Sequence, residues 1–265
     1  MVTVPAWLPL IVAGLLFEVL LMAAVWALAV RLRNAGIVDV AWAASFAPLA
    51  VLYASSGGGA PARAWLVAGM VTLWSVRLGW YLYARVMGQH PVEDSRYADL
   101  RRSWSPHANR RFFWFFQAQA LAAAGFSLPF AIAAADPDPT LGVVEWAGAA
   151  VWALAFVGET VADLQLAGFR RDPRNRGRVC RAGLWNYSRH PNYFFEWLVW
   201  CGYALVALAS PWGWLALACP AAMLYLLLRV TGIPALERAA LERRGDEYRE
   251  YQRTTSAFVP WFRKS

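Results

Sequence analysis

Long apolar runs, parted by polar loops whose arginines fall on alternate connections, constrain this chain more than any other feature. A bilayer core takes about 20 apolar residues per helix. Such runs lie near residues 7–30, 37–54, 64–86, 112–134, 142–165, 192–209 and 212–229. The first closes at Arg31-Leu-Arg33-Asn34, the second at Ser55-Ser-Gly-Gly-Gly59 and the fourth at Asp136-Pro-Asp-Pro139. The loops after the first, third and fifth runs, together with the tail, hold nearly all the arginine outside the runs, and the intervening loops hold only Arg63. In short loops positive charge marks the cytoplasmic side. The expectation is an all-α polytopic membrane protein of about seven transmembrane helices, N-terminus outside and C-terminus cytoplasmic. A bacterial inner membrane is the expected location, with any active site opening to the cytoplasm.

Composition agrees. Hydrophobic residues make up 59% and charged residues 16% of the chain, against about 45–50% and 25% in soluble domains. The net charge of +8 lies in short loops between apolar runs. Topology accounts for it, so no nucleic-acid partner is expected, and no obligate protein partner is evident. Lys264 is the sole lysine; arginine suits phosphate forks better than lysine does. Cys180, Cys201 and Cys219 have no metal-ligand spacing, so neither a disulfide nor a metal site is expected. The first run lacks a basic n-region and is long enough to span, unlike a cleavable signal.

Polar residues at the ends of the runs carry the chemistry. Gly183-Leu-Trp-Asn-Tyr-Ser-Arg-His-Pro-Asn-Tyr-Phe-Phe-Glu196 joins an arginine-rich loop to the sixth run. Arg189 and His190 are donors beside Pro191, which suits the first turn of a helix, and that turn has free N–H groups able to receive an anion. Asn192 and Glu196 are spaced i, i+4 and share a helix face. Upstream, Arg170, Arg171, Arg174, Arg176 and Arg178 are either ordinary positive-inside charge facing anionic lipid or a phosphate clamp. Asp163 and Gln165, at the inner end of the fifth run, suit an adenine or a ribose.

In the N-terminal half, Glu18 and Asp39 are carboxylates at membrane depth, where idle acids are unfavourable. Tyr81, Tyr83 and Tyr97 are candidate acids or interfacial anchors, and Asp39 either orients such an acid or pairs with Arg77. Gln117 and Gln119 line a cavity or bridge helices. In the tail, Glu237, Leu241, Tyr248 and Tyr251 fall near one face of a polar helix, either a lid or a surface helix.

The Arg-His-Pro-Asn-Tyr-Phe-x-Glu run resembles the membrane family of the steroid 5-alpha-reductases, and closest of all its bacterial branch long labelled a domain of unknown function, the DUF1295 type. Gly36-Ile-Val-Asp-Val-Ala-Trp42, Trp74-Ser-Val-Arg-Leu-Gly79, Glu93-Asp-Ser-Arg-Tyr97, Gly232-Ile-Pro-Ala-Leu-Glu237 and Gly245-Asp-Glu-Tyr-x-x-Tyr251 are similar to that branch in the same order.

The resemblance implies a single membrane domain over residues 1–265, with substrate-side helices in 1–134 and an NADPH-binding half in 135–265. It implies that Asp163, Arg170, Arg171, Arg178, Tyr187, Arg189, His190, Asn192, Tyr193, Glu237 and Tyr248 hold the cofactor. Catalysis would fall to Tyr97, Tyr81, Asp39 and Glu196. The activity implied is NADPH-dependent reduction of an activated C=C bond in a lipophilic substrate, a steroid-like enone or an unsaturated lipid. Phe195 stands where the steroid enzymes have glycine, and their Gln, Glu and Tyr constellation for a 3-keto group is not evident in the N-terminal half.

Two other functions fit parts of the pattern. The isoprenylcysteine carboxyl methyltransferases are similar in the same half, with an Arg-His-Pro-x-Tyr run and a Glu-Tyr-x-x-Tyr tail. Their S-adenosylmethionine carries no phosphate, so it gives clustered arginines no task. A lipid-binding protein without catalysis is the third reading, and the acids at membrane depth count against it.

Overall fold

A computed structural model describes residues 4–230 and 232–263. These are all-helical, with one isolated bridge, Ser188 to Ser256, in place of any strand. The helices are α1 (Leu8–Leu32), α2 (Ile37–Ser56), α3 (Pro61–Met87), α4 (Ser95–Ser103), α5 (Ala108–Phe126), α6 (Leu128–Ala134), α7 (Val143–Arg171), α8 (Pro191–Leu208), α9 (Ala218–Tyr225) and α10 (Ile233–Thr254). A 3₁₀ turn, Gly213–Leu217, leads into α9, and a π-helical stretch, Leu226–Val230, follows it.

Each apolar run lies on helix. Five helical stretches are long and apolar enough to cross a membrane: Leu8–Leu32, Ile37–Ser56, Ala108–Ala134, Val143–Arg171 and Gly213–Thr254. Within the last of these the polar α10 follows the apolar part. The surface is apolar where a soluble protein would be polar. Leu20 is 72% exposed on α1, and Leu154 is 73% exposed on α7.

Two boundaries differ from the sequence reading. The fifth run extends as helix to Arg171, which puts Asp163, Arg170 and Arg171 on one rod. The polar stretch after α3 contains α4, whose N-cap Asp94 accepts the Arg96 N–H at 3.0 Å.

The chain divides into two compact units. Unit 1 is Met1–Gly142 with Ala207–Leu215, and unit 2 is Val143–Val206 with Ala216–Ser265. In unit 1, α2 packs on α3, and α1 on α5 and α2. Pro48 interrupts the α2 ladder, since proline has no N–H to donate. Ser75 of α3 bridges the rung beside it, donating to the Ala43 carbonyl at 2.6 Å and accepting the Ala47 N–H at 3.2 Å.

The lone arginine of the even-numbered loops also finds a structural task. Arg63 is 2% exposed and pairs with Asp136 at 3.2 Å. It also donates to the carbonyls of Asp138 (2.6 Å) and Thr140 (2.7 Å). The same two loops meet through backbone bonds, Gly59 N–H to Ala134 O and Ala60 N–H to Asp136 O. Arg63 is therefore a buried clamp and no exception to the charge alternation.

In unit 2, α7 and α8 approach closely. Phe195 seats its ring on Gly158, where an added Cβ would lie 2.4 Å from the ring. Phe195 thus fills a helix–helix contact.

Removing one member of a buried ion pair typically costs about 3–5 kcal/mol. Arg63→Ala is expected to lower the unfolding midpoint in detergent markedly and Arg63→Lys less so. A midpoint unchanged in Arg63→Ala would remove the clamp.

Candidate functional sites

Unit 1 brings together residues distant in sequence. The Tyr97 hydroxyl donates to Asp39 Oδ1 at 2.6 Å. Arg96 Nη2 reaches Asp39 Oδ2 at 3.0 Å and Arg85 Nη2 the same oxygen at 3.4 Å. Asp39 stands in the first turn of α2, where a carboxylate complements the helix dipole. Its side-chain partners are Tyr97, Arg96 and Arg85.

Every residue but one of the Glu93–Tyr97 motif has a task here. Glu93 accepts the Ala35 N–H at 2.7 Å and forks with Arg101 at 2.7 and 2.8 Å, tying the α1–α2 turn to α4. Burial opposes ionisation of Glu93, but the Arg101 hydrogen bonds and charge hold its carboxyl below the usual range. Asp94 caps α4 and holds the Arg96 guanidinium at 3.1 Å. Tyr97 is 5% exposed, among Val38, Val86, Phe112 and Phe116. Burial, then the Asp39 charge, push its phenol well above 10, so it stays a neutral donor. Beside this cluster lies a depression lined by Asn34, Arg85, Val86, Gln89, Val92 and Asp94.

Unit 2 contains two distinct arrangements. In the first, the Arg-His-Pro motif anchors the tail. Arg189 Nε donates to Glu237 at 2.6 Å, and its Nη1 to the carbonyls of Gln252 (3.0 Å) and Thr255. His190 lies 3.3 Å from the same Glu237 oxygen and stacks on Tyr193 at 5.8 Å. Gln252 donates to the other oxygen at 2.9 Å. Tyr251 donates to the carbonyls of Trp185 and Ser188, and Tyr248 packs with it and Val179. Burial, then the Glu237 charge, push the Tyr248 phenol up to about 12. Gly245, at φ 52°, kinks α10 so that Glu247 reaches the Val179 N–H at 3.0 Å. Arg189, Glu237 and Tyr251 thus bind the chain to itself. Gln165 also serves the fold, its Oε1 accepting the Leu184 N–H at 2.9 Å.

In the second arrangement, Asn192 Nδ2 donates to buried Asp163 at 3.2 Å, and Glu196 accepts from Trp200 at 2.9 Å. Glu159, 3% exposed, lies one turn from Asp163 on α7. Sequence reasoning missed this acid, although its i, i+4 spacing from Asp163 marked it. Arg170, Arg171, Arg176 and Arg178 are exposed, without an ion pair among the described residues. Arg174 pairs with Asp172 at 2.7 Å. Tyr187 is 41% exposed, its ring against Phe262.

The class of protein is therefore an all-helical one with helices long and apolar enough to cross a membrane and a polar cluster in each unit. The chain belongs to the DUF1295 family, described as a protein of unknown function, whose model matches residues 25–255. It is also similar to an uncharacterized protein of Schizosaccharomyces pombe, 28% identical over 224 residues that cover 75% of this chain and 65% of that protein. No solved structure matches.

Glu237 supplies a pH test of the tail anchor. Burial opposes its ionisation, but hydrogen bonds from His190, Arg189 and Gln252 and the Arg189 charge lower its pKa from 4.5 to about 2. A depressed carboxyl stabilises the fold above its unfolded value and loses that contribution as pH falls through the folded value. The melting difference between the native chain and Glu237→Gln is expected to be full above pH 4.5 and to close towards pH 2. A difference independent of pH would contradict the ion pair.

Proposed function

We propose that the protein is an NADPH-dependent membrane reductase of an activated C=C bond in a lipophilic substrate. The observation that carries the proposal is the set of exposed arginines, Arg170, Arg171, Arg176 and Arg178, with no carboxylate partner among the described residues. They lie at and just beyond the end of the helix that carries the Asp163–Asn192 pair. A dinucleotide with a 2′-phosphate needs such unspent cations, and arginine forks suit phosphate. S-adenosylmethionine gives them no task.

These residues fit the cofactor. Arg170, Arg171 and Arg178 would hold its phosphates, with Asp163, Asn192, Tyr187 and Tyr193 towards its sugars and rings. Arg189, His190, Glu237 and Tyr248 would position this surface by anchoring α10. Bound NADPH supplies a hydride. Tyr97, a neutral phenol on Asp39, would donate to the substrate's carbonyl oxygen, and Arg96 and Arg85 would hold the carboxylate in place. Glu196 would orient polar groups from α8.

We also infer that α3 and α8 cross the membrane, giving seven crossings. At about 1.5 Å per residue the 27-residue α3 reaches roughly 40 Å, enough for a bilayer core, and the 18-residue α8 reaches about 27 Å. Leu73 and Val76 of α3 are exposed apolar residues, as lipid contact requires. The arginine alternation supports an N-terminus outside and a tail in the cytoplasm, and the membrane we propose is a bacterial inner membrane. The partners are the lipophilic substrate and membrane lipid, with neither nucleic acid nor an obligate protein partner.

Thermal-shift titration of the purified protein is expected to show stabilisation by NADPH and none by S-adenosylmethionine. Arg178→Ala should weaken NADPH binding about tenfold or more, the scale of a charged hydrogen bond, and leave NADH unchanged. In right-side-out spheroplasts added NADPH should do nothing until the membrane is opened. Stabilisation by S-adenosylmethionine alone would overturn the cofactor, and a response in intact spheroplasts the orientation.

Tyr97→Phe is expected to retain NADPH binding and lose about 10²–10⁴-fold in turnover once a substrate is found, the usual weight of a general acid. Asp39→Asn should lose less. Full activity in Tyr97→Phe would remove that residue from the site.

A further inference from the structure

Glu18 is 0% exposed, in the interior of α1. At about 1.5 Å per residue it lies roughly 15 Å from the Leu8 end and 21 Å from the Leu32 end. Neither carboxyl oxygen has a hydrogen-bond partner among the described residues. The α2 hydroxyls of Ser45 and Tyr53 stand beside it. Tyr53 rests against the same face of α1, since a Cβ built on Gly14, one turn away, would lie 1.9 Å from its hydroxyl.

The protons of these hydroxyls can be counted, because each hydroxyl has one to give. Ser45 gives its proton to the Trp42 carbonyl at 2.9 Å. Ser127 gives its own to the Ala124 carbonyl at 2.8 Å. The 3.0 Å contact between Tyr53 and Ser127 must therefore run from the phenol to Ser127. Both hydroxyls beside Glu18 thus have acceptors elsewhere, and neither completes a hydrogen bond to its carboxyl oxygens.

No cation offsets this. The helices packed on α1 are α2, α5 and α6. The charges of α2 and α5 are Asp39, Arg110 and Arg111, all in first turns, and α6 has none. Tyr53 is the titratable group that faces Glu18 at its depth. An ionised carboxylate opposite acceptors, away from water, is untenable. A protonated one becomes the donor that Ser45 lacks.

We propose that Glu18 is a proton-binding site in the membrane interior, held at neutral pH as a carboxylic acid that donates to Ser45. The ligand proposed is a proton: no group of three His, Cys, Asp or Glu residues gathers among the described residues to hold a transition metal, and sodium is an arm of the test. The site is independent of the reductase proposal.

The test is infrared spectroscopy of the protein in a maltoside detergent, which has no ester carbonyl to interfere. At pH 7 a carboxylic-acid C=O band is expected that disappears in Glu18→Gln and moves in Glu18→Asp. Acid-region spectra identical in the native chain and both variants would overturn the proposal, as would loss of the band on adding sodium ions. Melting gives a second readout. Glu18→Gln, a neutral isostere, should melt within a few degrees of the native chain, and Glu18→Ala clearly lower. An equal drop in both would mean that a charged carboxylate is required, which also overturns it.

Discussion

A bilayer interior supplies no hydrogen bonds, so polar groups on a spanning helix are satisfied by the chain itself or kept neutral. That constraint organises this structure. Arg63 is buried because Asp136 and two carbonyls receive it. Ser75 mends the α2 ladder beside Pro48. Asp39 is tolerated near a helix end because a phenol and two guanidinium groups surround it. Asp163 takes the amide of Asn192 in the same way.

The same economy divides the motif residues into two kinds. Some that look chemically active are already spent. Arg189, Glu237 and Gln252 close a network that fastens the tail, and Glu93 with Arg101 fastens the α1–α2 turn. Others keep capacity to spare. Arg170, Arg171, Arg176 and Arg178 face outward. A binding surface has to be built from the second kind, because a donor engaged inside the fold gives little to a ligand. The first kind sets where the second stands, so substitutions at Arg189 and Arg178 should fail for different reasons.

Glu18 extends the principle to protonation. The hydroxyls around it are committed as donors by their own helix geometry: a serine bonding back to a carbonyl three residues earlier has nothing left for a neighbour. A carboxyl placed there has to bring its own proton.

The sequence by itself determined the helical class and the long apolar helices, five of which among the described residues are long and apolar enough to span, because length and apolarity are local properties that the bilayer reads directly. It also marked the candidate residues, since Asp39, Asp163, Asn192 and Glu196 stand out as polar groups at or near the ends of apolar runs and Tyr97 lies in the polar stretch between two of them. It left the partnerships open. That Asp39 takes Tyr97 and Arg96 depends on how α4 folds back on α2, across 58 residues of separation for Tyr97. That Arg189 and Glu237 meet each other depends on α10 returning to the Arg-His-Pro turn. Helix periodicity specifies which residues share a face. Only tertiary packing decides which faces meet, and with that, which charges are spent in holding the fold and which remain for a ligand.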